Sequence, residues 1–164
     1  AKHLLERGCR KVVYLGGENE ENMPADDRAL GFMEVCLREG LEFLDPGREK
    51  DAGLYASLDY HSYIEKILEA HPEIDGIFAG DDSLAVIALH VARQKGINIP
   101  KDLKIIGVDG TKQILGFVPE LTTIQQPVKQ IAKVAVDKLI DLIEGKTAES
   151  CMDLPVKLLE GQTT

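Results

Sequence analysis

The sequence has few cysteines, which crosslink small secreted proteins as disulfides, and it lacks the long apolar runs that anchor proteins in membranes. It contains three cysteines, four tyrosines, four phenylalanines and no tryptophan. Cys9, Cys36 and Cys151 are odd in number and far apart, which matches neither a disulfide framework nor the spacing of metal ligands. We expect them to be reduced thiols in a cytoplasmic protein. No apolar run approaches the roughly 18 residues of a membrane span, so no membrane partner is expected.

Positive charge is also scarce. Lysine and arginine number 19 against 28 aspartate and glutamate residues, which gives a net charge of −9 at pH 7. Because a surface that binds nucleic acid should be basic, this chain is not expected to contact DNA itself. At 164 residues it can form one domain or one lobe of a larger one. A chain of this length should bury about 68–70% of its unfolded surface, so it needs no metal or disulfide to fold.

Short apolar runs alternate with segments of helical periodicity along the whole chain. Runs of this length between turn residues predict buried strands at residues 11–15, 74–79, 103–108 and 154–159. The first predicted helix ends at Gly8, and the second runs from Asp26 or Asp27 to about Glu39. A third helix begins at Asp59, a fourth begins at Asp82 or Ser83, and a fifth spans residues 127–144. Strands that alternate with such helices indicate the α/β class, with a parallel sheet flanked by helices. No strand is predicted in residues 41–58.

One carboxylate stands out by its position. Asp109 directly follows the apolar run 103–108 and precedes Gly110. Ligands of open α/β sheets gather at the carboxyl ends of strands, so we expect the Asp109 side chain to face a ligand rather than only to cap the turn. After the strand at 74–79, Asp82 is expected to be the N-cap of the next helix, with Ser83 as the alternative.

Two acidic motifs resemble those of haloacid-dehalogenase-type phosphatases. Residues 108–111, VDGT, are similar to the start of that family's DxDGT motif, and residues 80–82, GDD, to its late acidic motif. Three carboxylates at strand ends could then bind Mg²⁺. Two features oppose this enzyme: the nucleophilic aspartate would have to stand at Gly107, and the two motifs occur in the reverse order.

Four longer segments resemble another family. They are LLERGCRKVVYLGG, DRALGF, IDGIFAGDDSLAVIALHVARQKGINIPKDLKIIGVDG and ELTTIQQPVKQIAKVAVDKLIDLIEG, in this order. Together they are similar to the effector-binding core of bacterial LacI/GalR-type transcription repressors, which share their fold with secreted periplasmic sugar-binding proteins. The segment LTTIQQP is a hallmark of the repressors. The resemblance implies one lobe of a type I periplasmic-binding-protein fold, with no catalytic residue, metal or cofactor.

The same resemblance implies how the chain is divided. Residues 1–126 would be the C-terminal effector-binding lobe, residues 127–146 a helix of an N-terminal lobe outside this chain, and residues 147–164 the return segment. The helix would lack its usual partner, so we expect it to pack elsewhere, to swap with a second copy or to be mobile. Operator DNA would be bound by a further domain. A helix-turn-helix or a signal peptide ahead of Ala1 would distinguish a repressor from a secreted sugar-binding protein.

The resemblance also implies a site for a small-molecule effector and a homodimer interface. The positions that match effector-binding residues are Arg28, Asp109, Asp81 and Tyr55. Those that match the interface are Ile114, Leu115 and Phe117. The planar fork of Arg28 suits paired hydroxyls, the Asp109 carboxylate accepts hydrogen bonds from them, and Tyr55 would stack on a sugar ring. We expect the effector to be a sugar or phosphosugar. A purine remains an alternative, because an arginine–aspartate pair can bind either kind of molecule.

Overall fold

The structure, a computed structural model, describes residues 1–16, 24–44, 59–111, 121–147 and 151–164. Within those residues a six-stranded sheet has the order β2-β1-β3-β4-β5-β6. The strands are β1 Lys11–Leu15, β2 Glu42–Leu44, β3 Gly76–Ala79, β4 Lys104–Asp109, β5 Thr122–Gln125 and β6 Lys157–Leu159. Strands β1 to β5 are parallel, and β6 runs antiparallel to β5. The predicted α/β class with a mostly parallel sheet is confirmed.

Helices cover both faces of the sheet. They are α1 Lys2–Glu6, α2 Pro24–Glu39, α3 Tyr60–Ala70, α4 Asp82–Gln94 and α5 Val128–Ile143. Because neighbouring strand residues point to opposite faces, Val13 belongs to a core cluster with α3 and α4, while Val12 belongs to one with α1 and α2. A sheet that is buried on both faces explains why its strands are continuous apolar runs rather than alternating ones.

Some elements differ from the sequence prediction. The helix α2 begins at Pro24, so Asp26 and Asp27 lie inside its first turn rather than capping it. Proline is favoured at that position because the first residues of a helix need no N–H partner. Sequence reasoning missed β2, which has three residues at the edge of the sheet and is too short for a periodic signal. The last strand covers only Lys157–Leu159.

The helix α5 differs from the other helices because none of its residues is buried. Its exposed apolar side chains, each at least 41% exposed, are Val128, Ile131, Val136, Leu139, Ile140, Leu142 and Ile143. A helix in a globular protein normally buries such a stripe against a core. Neither α5 nor any other helix in the described ranges is long and apolar enough to span a membrane. The division of the chain at residues 126 and 146 stays a prediction.

The three cysteines are free thiols, of which Cys9 and Cys36 are buried and Cys151 is exposed. Burial is the main cause that raises the pKa of the Cys9 thiol to about 11, and the nearby Asp75 charge acts in the same direction. The reactive form of a cysteine is the thiolate, so Cys9 is expected to be inert near neutral pH. These two buried thiols therefore act as core side chains.

The C-terminal tail is attached to the sheet by threonine hydrogen bonds. The hydroxyl of Thr163, which is buried, donates to the Ile105 carbonyl at 2.7 Å and accepts the Thr122 N–H at 3.0 Å. The Thr122 hydroxyl accepts the Gly161 N–H at 2.9 Å and lies 2.8 Å from the hydroxyl of Thr164. The tail is thus bonded to both β4 and β5, next to the antiparallel strand that precedes it.

Replacing Thr163 by valine is expected to lower the free energy of unfolding by about 1–3 kcal/mol. Valine has nearly the same shape, but it leaves the Ile105 carbonyl and the Thr122 N–H without this buried hydroxyl. Urea denaturation followed by circular dichroism measures the change. The matched control is Thr147→Val at an exposed position, which should change stability by less than about 0.5 kcal/mol. Equal stabilities of the two variants would contradict the role of Thr163.

Candidate functional site

Polar groups from three neighbouring strands meet at one edge of the sheet. Gly80 follows β3, Asp109 ends β4, and Gln126 follows β5. Because these three strands are parallel and adjacent, their carboxyl ends lie side by side. Ligands of open α/β sheets bind at this edge. The edge is therefore the candidate functional site, as the position of Asp109 in the sequence predicts.

Arg28 of α2 joins two of these strand ends. Its Nη1 donates to the Gly80 carbonyl at 2.7 Å, and its Nη2 lies 3.7 Å from Oδ1 of Asp109, an ion pair without a direct hydrogen bond. Both charged side chains are 32% exposed, so solvent and ligands can reach them. An exposed pair of this kind adds at most about 1 kcal/mol to stability. Its main consequence is the orientation of the two side chains.

Asp109 combines a strained backbone with a partly open carboxylate. Its φ is +106°, and the next residue, Gly110, has a φ of +75°. Left-handed conformations cost a residue with a side chain about 1–2 kcal/mol. Oδ1 accepts a hydrogen bond from Nε2 of Gln126 at 2.5 Å, whereas no hydrogen bond from the described part of the chain reaches Oδ2. Backbone strain of this kind concentrates at ligand sites, and Oδ2 can accept from a ligand.

The N-cap of α4 is not the residue predicted for it. Asp81 is the N-cap, because its Oδ1 accepts the Leu84 N–H at 2.9 Å from an extended backbone. Asp82 is 1% exposed and points into the core, where it accepts three hydrogen bonds. The prediction of Asp82 or Ser83 as the cap was therefore wrong. One carboxylate oxygen of Asp81 accepts the capping hydrogen bond. Contact of Asp81 with a ligand stays a prediction.

The geometry does not assemble the magnesium site of the phosphatase alternative. Asp82 faces the core instead of the strand edge. A Cβ on Gly107 would collide with the Asp82 carboxylate and lie 3.2 Å from the Ala85 Cβ, so a nucleophilic aspartate does not fit there. Across the described ranges, no three potential metal ligands lie close enough together to hold an ion. The likeness to that family is confined to short motifs.

An apolar groove of about 750 Å³ opens beside the polar cluster, and Arg28 and Gln126 form part of its lining. Its apolar walls include Phe32, Phe78, Val108, Ile124 and Ile131. Hydroxyl groups need hydrogen-bond partners when they leave water. Polar contacts with a hydroxyl-bearing ligand would therefore come from the polar cluster beside the groove, because the walls of the groove are mainly apolar.

Four predicted functional residues lie outside the described residues. They are Tyr55, Ile114, Leu115 and Phe117. Stacking of Tyr55 on a sugar ring and the homodimer interface of the other three stay predictions.

Sequence reasoning missed Gln126. This residue follows β5 directly in the LTTIQQP segment, and β5 is the neighbour of β4 in the sheet. The rule that selects Asp109, a polar side chain at the carboxyl end of a buried strand, applies to Gln126 as well. The strand signal is weak there because β5 has four residues, of which only the first two are buried.

Comparison with known proteins identifies relatives along the whole chain. A family model described as a periplasmic binding protein-like domain matches residues 1–164. The sucrose operon repressor of Streptococcus mutans is 36% identical over 163 residues, which cover 99% of this chain and 48% of that repressor. The ribose operon repressor of Halalkalibacterium halodurans is also 36% identical, over 169 residues that cover 99% of this chain and 48% of that protein. The chain spans about half the length of these curated relatives.

Solved structures show the same fold. The periplasmic binding protein/LacI transcriptional regulator of Alkaliphilus metalliredigens, solved with D-xylulofuranose, has a TM-score of 0.77 at 26% identity, over 99% of this chain and 60% of that chain. The transcription regulator GntR of Chromobacterium violaceum has a TM-score of 0.78 at 28% identity, over 99% of this chain and 59% of that chain. The resemblance to LacI-type regulators is confirmed, and the chain belongs to the family of periplasmic binding protein-like domains.

Proposed function

We propose that this chain is the effector-binding part of a cytoplasmic, homodimeric transcription regulator of the LacI type. A sugar or phosphosugar bound at Arg28, Asp109 and Gln126 would control the binding of the regulator to operator DNA. Relatives at 36% identity are named as operon repressors, which supports a regulator rather than an enzyme. The net charge of −9 is unfavourable for DNA contact by this chain, so a separate domain would bind the operator.

The observation that carries the proposal is the pairing of donors and acceptors at the strand edge. Arg28 offers N–H donors 3.7 Å from an oxygen of Asp109, and both side chains are partly exposed. A hydroxyl group donates one hydrogen bond and accepts others, so two neighbouring hydroxyls of a sugar ring can satisfy both residues. Each hydrogen bond to a charged group is worth about 1.5–3 kcal/mol net. A structural neighbour solved with D-xylulofuranose supports the sugar class.

We propose that residues 1–126 and 147–164 form one lobe of a two-lobed core and that residues 127–146 belong to the other lobe. The exposed apolar stripe of α5 supports this division. An effector held between the lobes would favour their closed arrangement. Control of DNA binding then requires that the effector bind the closed arrangement more tightly than the open one. A secreted sugar-binding protein would have the same ligand site but would not bind operator DNA.

Calorimetry tests the proposal on the intact protein, meaning the full-length product that contains this sequence. The panel is sucrose, D-ribose, D-xylulose, a hexose phosphate, hypoxanthine and guanine. We expect one sugar or sugar phosphate to bind and the same compound to change operator binding in a gel-shift assay. Binding of a purine alone would contradict the sugar class. An intact protein that binds no compound of the panel would contradict the proposed function.

Replacing Arg28 by lysine is expected to weaken binding of that sugar roughly tenfold, which corresponds to about 1.4 kcal/mol. Lysine keeps the charge but loses the planar fork, so it cannot contact the Gly80 carbonyl and a ligand with separate fixed donors. The dissociation constant from calorimetry measures the effect. Arg38→Lys, at an exposed arginine in the last turn of the same helix, is the control and should bind normally. Normal affinity of the Arg28 variant would argue against this site.

A further inference from the structure

Asp82 places a carboxylate in the core beside the candidate site. The residue is 1% exposed, and aspartates are almost never buried so fully unless they are paired. Its Oδ2 accepts the Thr111 N–H at 2.5 Å and the Thr111 hydroxyl at 2.9 Å, and its Oδ1 accepts the Thr123 hydroxyl at 2.5 Å. No ion pair within the described ranges includes Asp82. These three hydrogen bonds stabilise the Asp82 carboxylate, and so does the positive potential at the N-terminus of α4.

The partners of Asp82 hold the turn that carries Asp109. Thr111 follows Asp109 by two residues, and Gly110 between them donates its N–H to the Thr123 hydroxyl at 3.3 Å. Two successive N–H groups of this turn are thus fixed, one by Thr123 and one by Asp82. The φ of +106° at Asp109 persists only where surrounding structure imposes it. The hydrogen bonds of Asp82 and Thr123 supply that constraint.

The neighbouring strand β4 leaves room for the buried carboxylate. A Cβ on Gly107 would collide with Oδ1 of Asp82 and would lie 3.2 Å from the side chain of Leu121. A central strand therefore lacks a side chain at the position that faces Asp82. Stability alone does not account for this arrangement, because a buried charged side chain often contributes no more to the free energy of folding than an apolar side chain of similar size. A role in the adjacent site does account for it.

We propose that Asp82 and Thr123 are positioning residues of the binding site. They hold residues 109–111 in the conformation that directs the Asp109 carboxylate towards Arg28 and the ligand. They act on affinity through Asp109 and do not touch the ligand. The proposal rests on the proposed function, since it concerns the same effector site.

The test compares Thr123→Val with Thr122→Val in the intact protein. Both threonines are 0% exposed on β5, and as neighbours in a strand they point to opposite faces. The Thr122 hydroxyl bonds the tail at Gly161, whereas the Thr123 hydroxyl bonds Asp82 and Gly110. Calorimetry uses sucrose, D-ribose, D-xylulose and a hexose phosphate as probes. The dissociation constant of the bound probe should rise roughly fivefold or more in Thr123→Val and less than about twofold in Thr122→Val.

Two further variants keep the test decisive. Thr123→Ser retains the hydroxyl, and its affinity should return to within about twofold of the unsubstituted protein. Asp82→Asn keeps the size of the side chain but exchanges one acceptor oxygen for a donor, so its affinity should fall as in Thr123→Val. The asparagine variant replaces Thr123→Val if the latter does not fold. Normal affinity of the folded variants would overturn the inference.

Amide hydrogen exchange adds a readout that needs no ligand. The Gly110 N–H should exchange faster in Thr123→Val, and the Gly161 N–H should exchange faster in Thr122→Val. Equal affinities of the two valine variants, with the unsubstituted protein binding a probe, would contradict the inference alone. An unsubstituted protein that binds none of the probes would contradict the proposed function, and the inference with it.

Discussion

Replacing Asp109 by glycine is expected to weaken effector binding at least roughly a hundredfold and to leave the stability of the chain almost unchanged. The carboxylate would accept two charged hydrogen bonds from a sugar, so its loss should cost about 3 kcal/mol or more, roughly a hundredfold in the dissociation constant. Folding loses an exposed ion pair with Arg28 and a hydrogen bond from Gln126. The substitution also removes backbone strain at position 109, because glycine adopts a φ of +106° without a steric cost.

The stability terms for Asp109→Gly nearly cancel. Relief of strain is worth about 1–2 kcal/mol, while the added flexibility of glycine costs about 0.5–1 kcal/mol and the lost hydrogen bond about 1 kcal/mol. The net change should stay within about 1 kcal/mol of zero. Asp109→Ala is the control, since it loses the same contacts but keeps the strain, and it should be less stable than the glycine variant by about 1 kcal/mol.

Two measurements check this prediction. Urea denaturation of the chain compares the glycine and alanine variants at position 109, and calorimetry of the intact protein compares their affinities. A glycine variant that binds the effector normally would remove Asp109 from the site. An alanine variant as stable as the glycine variant would show that the backbone at Asp109 is not strained.

The position of Asp109 could be predicted because the signal is local. A buried apolar run that ends in Asp-Gly fixes both the strand and the residue at its carboxyl end. The contact of Arg28 could not be predicted in this way, because its partner Gly80 lies 52 residues further along the chain. That contact depends on how α2 packs against β3. The family resemblance implies an effector-binding role for Arg28, which stays a prediction, and the structure adds its hydrogen-bond partner.

The roles of Asp81 and Asp82 show why neighbouring residues are hard to separate from sequence. Either carboxylate can cap a helix that begins beside it, so capping preference alone does not choose between them. The choice is made by Thr123, a residue 41 positions away, which offers Asp82 a buried hydrogen bond. Once Asp82 turns into the core, Asp81 is left to accept the Leu84 N–H. Tertiary contacts thus decide a local feature.

In the intact protein, replacing Leu139 by glutamine is expected to lower the free energy of unfolding by about 2–4 kcal/mol. The same change in this chain alone should have an effect below about 0.5 kcal/mol, because Leu139 is 57% exposed here. If residues 127–146 belong to a second lobe, as proposed, that lobe covers the apolar stripe of α5. Glutamine would then bury an amide where an apolar side chain packs. Urea denaturation of both proteins measures the difference.

The control for Leu139→Gln is Lys133→Gln on the same helix. Lys133 has a side chain that is 75% exposed, and its ion pair with Asp137 is an i,i+4 surface pair. Such pairs contribute less than about 1 kcal/mol, so this substitution should be nearly neutral in the chain and in the intact protein alike. Only the leucine variant should distinguish the two proteins, because only its side chain passes from solvent into an interface. Equal effects of Leu139→Gln in both would contradict the assignment of residues 127–146 to a second lobe.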